Sequence, residues 1–465
     1  LNAGGAVIDA VAHNRQGNGP EPWVDSRYLN EPIAFQKMGE TIARMKEKDQ
    51  KVWIYDELGY PSASAGGRVL EGHPEFAVQA VRCRNMSTSG EALDIVAEGE
   101  ELVSCKAFPV RDGKLDLAAA IDLTSKIASG EFRWSPPEGN WTVCLFERYF
   151  PDTWKRHNIP RRNVNIMDRN AVARFIDITH ERYAGELGRQ LEDVDLFFTD
   201  EPQLGAVEPW MHMALQNTTP AVQWCDELPE AFERKKGYPV SDVLPALFHD
   251  AGPATGRLRY DFYDVYSDLI AENYFGQIED WCHAHRVASS GHMLLEESLL
   301  FYPMFSGSMI KNWSRQDLPG IDQLGMVRYK TMGGWNGARG MRVNEDFSIK
   351  LAASIRTLAG KQGVFSESFA LSDQAKVPDL ARAAKGMASW QYACGVTHMS
   401  TYTLQQKLSA EDYAGVSGFV GRLGVLSRRG EPVSDVAVLV PEASVWAYYN
   451  PPDGGTFKRY TDCNP

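Results

Sequence analysis

The sequence predicts a (β/α)8 TIM barrel of the α/β class, and the clearest evidence is a pair of strands that end in acids. Residues 196–202 read LFFTDEP, an apolar run that meets two carboxylates and then a proline, which has no backbone donor to continue strand pairing. Residues 363–369 read GVFSESF and lie between two stretches of helical periodicity. Buried strands that alternate with amphipathic helices favour a parallel barrel, which carries its chemistry at the carboxyl ends of the strands.

Strand and helix patterns alternate along most of the chain, and each has a local reason. The strands are short apolar runs rich in β-branched residues, and the helices repeat apolar residues every three or four positions. Asp168 is a good N-cap, and Ser409 with Asp412 forms a capping box. The predicted strands are 6–13, 51–55, 194–201, 287–294, 320–324, 363–369 and 396–402, and the predicted helices are 33–48, 168–187, 259–283, 348–359, 379–393 and one that follows Ser409.

Residues 76–160 interrupt this alternation with short pieces that are broken by glycine and proline, which predicts a β-rich insertion after strand 2. Its last strand, at 141–146, is expected to return to the barrel as the third strand. A fresh strand at 436–440 predicts the start of a further C-terminal domain. The predicted domains are therefore the barrel at 1–75 and 161–430, the insertion at 76–160, and the beginning of an α/β or β domain at 431–465.

Composition narrows the class of protein. The 465 residues are 43% hydrophobic and 23% charged, as in a globular protein with a sizeable core. A net charge of −13 argues against a nucleic-acid partner, because nothing would neutralise phosphates in bulk. No window approaches the length of a membrane span. The seven cysteines show neither a C-x-x-C motif nor zinc-type spacing, so buried free thiols are expected.

Acids gather at the predicted strand ends, and a barrel core otherwise contains few charges. Glycoside hydrolysis needs one carboxylic acid to protonate the leaving oxygen and one carboxylate to activate water or to attack carbon. Glu201 and Glu367 are the predicted catalytic pair, and Glu297 is the alternative acid, since only one of the adjacent Glu296 and Glu297 can face the mouth of a continuing strand. The predicted substrate-binding residues are Asp56, Glu57, Asp200, His292, His398 and Tyr402.

Two other functions compete with this one. A metal-dependent barrel hydrolase would need a His-x-His pair at the end of the first strand, where this chain has Ala12, His13 and Asn14. A catalytically inactive barrel that binds glycans is compatible with every residue so far. No cofactor is required by the proposed chemistry, although the rim acids are hard oxygen ligands of the kind Ca²⁺ prefers.

The segment WIYDELGYPSASAGG at 53–67, together with 198–202, 291–292 and 366–369, resembles the bacterial α-L-rhamnosidases of glycoside hydrolase family 106. The resemblance covers most of the chain. It implies a (β/α)8 catalytic domain, an inverting mechanism with two glutamates (here Glu201 as general acid and Glu367 as general base), and often a bound calcium. It also implies a periplasmic or secreted protein that acts on plant-type glycans. Asp200 agrees with inversion, because retaining barrels of the common clan carry an asparagine before the acid.

Overall fold

The computed structural model describes residues 4–8, 29–58, 61–98, 101–127, 130–151, 154–156, 159–161, 163–204, 221–323, 345–369, 377–401 and 404–451. The strands in these ranges are β1 Gly5–Ile8, β2 Lys51–Tyr55, β3 Gln79–Thr88, β4 Leu93–Val96, β5 Glu101–Arg111, β6 Lys114–Leu115, β7 Ile121–Asp122, β8 Glu131–Trp134, β9 Trp141–Tyr149, β10 Trp154–Arg156, β11 Ile159–Arg161, β12 Leu196–Asp200, β13 Ala221–Trp224, β14 Ala288–His292, β15 Leu318–Gln323, β16 Phe365–Ser368 and β17 His398–Thr401.

The helices in the same ranges are α1 Pro32–Lys46, α2 Thr124–Ile127, α3 Arg169–Ile178, α4 His180–Leu187, α5 Leu228–Lys236, α6 Leu244–Phe248, α7 Thr255–Ile270, α8 Gln277–Ala284, α9 Tyr302–Phe305, α10 Met309–Trp313, α11 Glu345–Leu358, α12 Leu380–Cys394, α13 Ala410–Arg429 and α14 Glu442–Tyr448. A π-helical turn, Ala271–Gly276, joins α7 to α8. No helix of the described ranges has the length and apolar character needed to cross a membrane.

The first compact unit contains Leu1–Glu75, Arg169–Gln203 and Ile270–Leu439. Its sheet has the order β1-β2-β12-β14-β15-β16-β17, and every pair in it is parallel. The ring of Trp53 on β2 lies 4.9 Å from the ring of Phe365 on β16, although three strands separate them in the sheet. The sheet therefore curls into a nearly closed barrel, which confirms the mixed α/β class and the barrel-like parallel sheet.

Alternate residues of the barrel strands fill its interior. The buried residues Leu196, Phe198, Leu318 and Phe365 form one cluster there. Because side chains alternate between the two faces of a strand, the same alternation carries Asp200, His292, Asp322 and Glu367 to the inner mouth at the carboxyl ends. The strand register places Asp200 beside His292 and Asp322 beside Glu367.

The predicted third barrel strand is wrong. β2 pairs directly with β12, where Trp53 lies beside Leu196, so the described barrel sheet has seven strands. β9, which covers the predicted third strand, pairs antiparallel with β3 and β5. It is apolar because Val143 and Leu145 are buried in a different hydrophobic core. Burial by another sheet gives the same apolar pattern as burial in a barrel wall.

The second compact unit contains Phe76–Asp168, Leu204–Leu269 and Val440–Pro465. Its main sheet has the order β13-β3-β9-β5-β6, with β7 also paired to β5. Residues 204–269 group with this unit, whereas the sequence-based division assigned them to the barrel. Compact units are not necessarily domains that fold independently. The predicted domain boundaries therefore stay a prediction.

Residues 436–440 form neither a helix nor a strand. Val436, Val438 and Leu439 are 78%, 82% and 91% exposed. A strand needs a neighbour to satisfy its backbone hydrogen bonds, and no described segment pairs with this one. The expected strand is thus an exposed apolar segment without regular secondary structure, and the further domain stays a prediction.

Candidate active site

The end of β12 is bent, and the bend brings Glu201 into the barrel mouth. Strand alternation would point Glu201 away from the face that Asp200 occupies, but its φ is +46°. The backbone N–H of Glu201 still donates to the carbonyl of His292 at 3.1 Å. A carboxylate oxygen of Glu201, a ring nitrogen of His292 and a carboxylate oxygen of Asp322 all lie within 4.8 Å of one another. The catalytic acid predicted from the sequence therefore sits in a three-strand cluster.

His292 is the positive centre of that cluster. Its Nε2 lies 2.8 Å from Glu367 Oε2 and 3.6 Å from Asp200 Oδ1. Burial lowers the pKa of His292, but the hydrogen bond to Glu367 and the charges of Asp322 and Asp200 outweigh burial and hold the pKa well above its usual value. The imidazolium thus orients Glu367 and balances the acids around it. Among described residues, His292 Nδ1 has no hydrogen-bond partner.

Glu201 carries a proton at neutral pH. Burial, followed by the negative charge of Asp200, raises its pKa to about 8, against a smaller opposing effect of His292. The charges of Glu367 and Glu297 raise it further. A protonated carboxyl near a second carboxylate is the arrangement that an acid/base pair requires.

The two glutamates after β14 have different environments. Leu295, directly before them, has a φ of +60°, so the chain leaves the strand direction before either glutamate. Glu296 is 1% exposed, and its carboxylate accepts a hydrogen bond from the backbone N–H of Asp322, so it supports the end of β15. Glu297 is only partly buried, and burial raises its pKa to about 7. Glu297 is therefore a second protonatable acid near Glu201, and its role as the alternative acid stays a prediction.

Asp200 and Asp56 are held by the end of β2 and by the loop that follows it. The hydroxyl of Tyr55 donates to Asp200 Oδ2 at 2.6 Å. The Ser62 hydroxyl donates to Asp56 Oδ1 at 2.6 Å and accepts from the Asp200 backbone N–H at 2.9 Å. Asp56 is 1% exposed, and burial raises its pKa well above the usual value. Asp200 lies in the mouth, whereas Asp56 lies beneath it and anchors the loop.

The structure places Glu57 in the support of the same loop. Its side chain is fully buried, at 0% exposure, and its carboxylate oxygens accept four backbone N–H bonds, from Leu58, Ser64, Ala65 and Gly66, at 2.7–2.8 Å. The loop needs this support because Ala63 and Ala65 have φ values of +101° and +49°. This finding corrects the predicted sugar-binding role of Glu57, since four backbone donors already occupy its oxygens.

His398 also lies away from the mouth. It pairs with Phe365 in the strand register, one inward position before Glu367, and its ring lies 6.4 Å from that of Trp53. Burial, followed by nearby positive charges, lowers its pKa to about 4. It is a neutral residue of the barrel interior, so its predicted contact with substrate is corrected. Tyr402, the other predicted residue on this strand, lies outside the described residues.

Sequence reasoning gave no role to two residues of the mouth. Tyr55 directly precedes Asp56 at the end of β2, and its hydrogen bond to Asp200 could have been suspected only from the strand register. Asp322 is the single acid of β15, and this isolated acid near a strand end is the sequence feature that could have indicated its place in the mouth. Asp322 Oδ1 is buried without a hydrogen-bond partner among the described residues, and burial raises the pKa of this carboxyl well above its usual value.

The fold is a parallel barrel with the protonated Glu201 and the nearby Glu367 at its mouth. This pair of carboxyl groups is suited to glycoside hydrolysis, which places the chain among the barrel glycosidases. A family model described as alpha-L-rhamnosidase matches residues 92–423. The chain belongs to this family, glycoside hydrolase family 106.

Two known proteins are similar to the chain. A putative beta-glucuronidase of Formosa agariphila is 20% identical over 364 residues, which are 71% of this chain and 28% of that protein. The structure of a rhamnosidase from Novosphingobium sp. PP1Y superposes with a TM-score of 0.55 at 13% identity, over 93% of this chain and 55% of that one. The chain thus spans 28% and 55% of the lengths of these two proteins. The structural likeness shows the fold.

Proposed function

We propose that the protein is a glycosidase that removes a terminal α-L-rhamnoside-like sugar from plant-type glycans, with Glu201 as general acid and Glu367 as general base. The observation that carries the proposal is the pKa of about 8 that burial and Asp200 give Glu201, within the same cluster as Glu367. Family membership and the structural likeness to a rhamnosidase support the choice of sugar. The resemblance likewise supports a periplasmic or secreted location.

The acid acts on the leaving group. Departure of an alkoxide from a glycoside is slow in water, and a positioned carboxylic acid that protonates the glycosidic oxygen lowers that barrier. Glu201 is suited to this step because it holds a proton at neutral pH in a partly buried mouth. Asp200 assists by its charge, since a neighbouring carboxylate disfavours ionisation of Glu201.

The base acts on water. Glu367 accepts a hydrogen bond from His292 Nε2 at 2.8 Å, which fixes one carboxylate oxygen and leaves the other to accept a proton from water. An inverting enzyme must seat that water between its base and the anomeric carbon, so its carboxyl groups stand roughly 6.5–9.5 Å apart. The family resemblance and the acid at position 200 support inversion.

Calcium fits one feature of the mouth. Asp322 has a buried oxygen without a described partner, and carboxylate oxygens are the ligands that Ca²⁺ prefers. Asp322 would be the anchoring ligand, whereas the imidazole of His292 would not be. When bound, Ca²⁺ would orient sugar hydroxyls by accepting their oxygens as ligands. We propose that turnover does not require it, so chelator-treated protein should keep most of its activity.

The proposal is tested with aryl glycosides, α-L-rhamnoside first and β-glucuronide second. On the phenyl glycoside, Glu201→Gln and Glu367→Gln should each lower turnover by about 10²-fold or more, the usual scale for a lost acid or base. Glu230→Gln is the control, because Glu230 is a surface residue of α5 with an 87% exposed side chain. Activity on the glucuronide alone would reject the assigned sugar. Rhamnoside binding without turnover, equal in wild type and Glu201→Gln, would favour the inactive glycan-binding barrel.

A further inference from the structure

A second group of metal-ligating side chains lies in the other compact unit. Cys83 Sγ, Cys144 Sγ and a ring nitrogen of His249 all lie within 4.8 Å of one another. They come from β3, from β9 and from the residue after α6, which explains why the sequence shows no zinc-type spacing. Cys83 and Cys144 are buried free thiols, as the sequence predicts, and in addition they lie together beside a histidine.

The three groups share one face of the antiparallel sheet. Asn85 lies opposite Cys144 in the β3–β9 register, and Phe146 lies opposite Cys83, so the side chains of both pairs project from that face. The Phe146 ring lies 5.9 Å from the ring of Phe248, the last residue of α6. The end of α6 thus closes over this face and delivers His249 to the two thiols.

An oxygen donor completes the set. Asn85 Oδ1 accepts from His249 Nε2 at 2.8 Å and from Cys83 Sγ at 3.1 Å. The nearest register neighbour with a positive charge is Lys106, opposite Cys144 on β5, but its ammonium is paired with Asp242 at 2.6 Å. Two thiolates and one imidazole nitrogen, with an oxygen ligand such as water in the fourth position, form a tetrahedral ligand set that Zn²⁺ accepts.

Other uses of the two cysteines agree less well with the geometry. Cys83 and Cys144 are diagonal rather than opposite in the register, and diagonal neighbours lie roughly 7–8 Å apart. A disulfide needs Cα atoms within about 6.8 Å. Cys144 is 0% exposed, so it cannot serve as a nucleophile for a large substrate. A Zn²⁺ ion with bonds of about 2.3 Å to sulfur spans thiolates about 3.8 Å apart. His249 is only half-buried, which gives the ion a way in.

We propose that Cys83, Cys144 and His249 bind one Zn²⁺ ion, with Asn85 or a water molecule as the fourth ligand. The site lies in the β-rich unit and serves structure there, because it ties the end of α6 to the sheet. It is independent of the glycosidase proposal, since none of its residues belongs to the barrel mouth.

The test uses the whole chain, reduced and stripped with a chelator, and then titrated with Co²⁺. The expected result is one equivalent of tetrahedral Co²⁺ with a thiolate-to-cobalt charge-transfer band that Zn²⁺ abolishes. The barrel mouth cannot produce this band, because its convergent donors are carboxylates and an imidazole. Absence of the band in reduced wild-type protein would overturn the proposal.

Variants assign the ligands. Cys83→Ser and His249→Ala should lose the charge-transfer band or the one-equivalent stoichiometry, whereas Cys225→Ser should keep both. Cys225 is the matched control, a cysteine of the same unit that is 1% exposed and outside the cluster. If Cys83→Ser fails to fold, His249→Ala decides, since this side chain is half-buried. A band of wild-type strength in His249→Ala would refute the assignment.

Discussion

Replacing Glu201 with glutamine should lower activity on glycosides whose leaving group needs a proton and yet stabilise the protein at pH 8. In the unfolded chain this carboxyl ionises near its ordinary pKa of 4.5, whereas in the folded protein it keeps its proton up to about pH 8. Because the folded state binds the extra proton, the wild type loses stability as pH rises from about 4.5 to about 8. Glutamine resembles the neutral acid and does not titrate, so the variant escapes this loss.

The size of the effect follows from the pKa difference. A difference of about 3.5 units corresponds to an upper limit of about 5 kcal/mol at 1.36 kcal/mol per unit. Glu201 is partly exposed, so solvent screens its charge, and four charged neighbours also affect its pKa. The expected gain in the free energy of unfolding at pH 8 is therefore about 2 kcal/mol.

Urea unfolding measures this gain. Both proteins are unfolded at pH 5 and at pH 8 in the presence of a chelator, and tryptophan fluorescence monitors the transition. The free energy of unfolding of Glu201→Gln should exceed that of wild type at pH 8 and approach it at pH 5. A difference that is the same at both pH values, or a variant that is less stable at pH 8, would refute the assigned environment of Glu201.

Three further predictions concern residues that shape the mouth. Glu57→Gln should lower the free energy of unfolding by about 2 kcal/mol or more near neutral pH. The reason is that the new amide nitrogen would face backbone N–H donors that now donate to the carboxylate. Urea unfolding at pH 7 checks this prediction, and unchanged stability would contradict it. Gly291→Ala should yield misfolded protein or lose about 4 kcal/mol or more, because a Cβ would lie 2.1 Å from the Thr199 carbonyl oxygen; soluble expression and thermal unfolding by circular dichroism measure it. Tyr55→Phe removes a 2.6 Å hydrogen bond to Asp200 and should lower the free energy of unfolding by about 1.5–3 kcal/mol, and wild-type stability would mean that the bond adds nothing.

The sequence was sufficient for features that depend on local patterns. Strand periodicity located β12 and β16, and the parallel barrel then implied that Glu201 and Glu367 share one rim, as they do through His292. It was insufficient where burial had two possible causes, as for the apolar strand β9, which is buried in the second unit.

The errors in the predicted roles of Glu57 and His398 have a similar physical cause. Glu57 lies two residues past the end of β2 and Asp200 is the last residue of β12, so the sequence places both near the mouth, but only the fold shows that four backbone amides already occupy the carboxylate of Glu57. His398 belongs to a strand predicted at 396–402, and the sequence pattern does not show how far along that strand the mouth begins; the register places His398 one inward position below Glu367. The cluster of Cys83, Cys144 and His249 is assembled across three elements, so spacing alone could not reveal it.

The role of Glu201 as general acid is tested most directly by the leaving-group dependence of Glu201→Gln. The measurement compares kcat/KM of wild type and variant on two aryl α-L-rhamnosides, one with a dinitrophenol leaving group and one with an unsubstituted phenol. A leaving group that departs without protonation does not need the acid, so the loss should be small for dinitrophenol and about 10²-fold or more for phenol. Equal losses on both substrates would contradict the assignment of Glu201 as the proton donor.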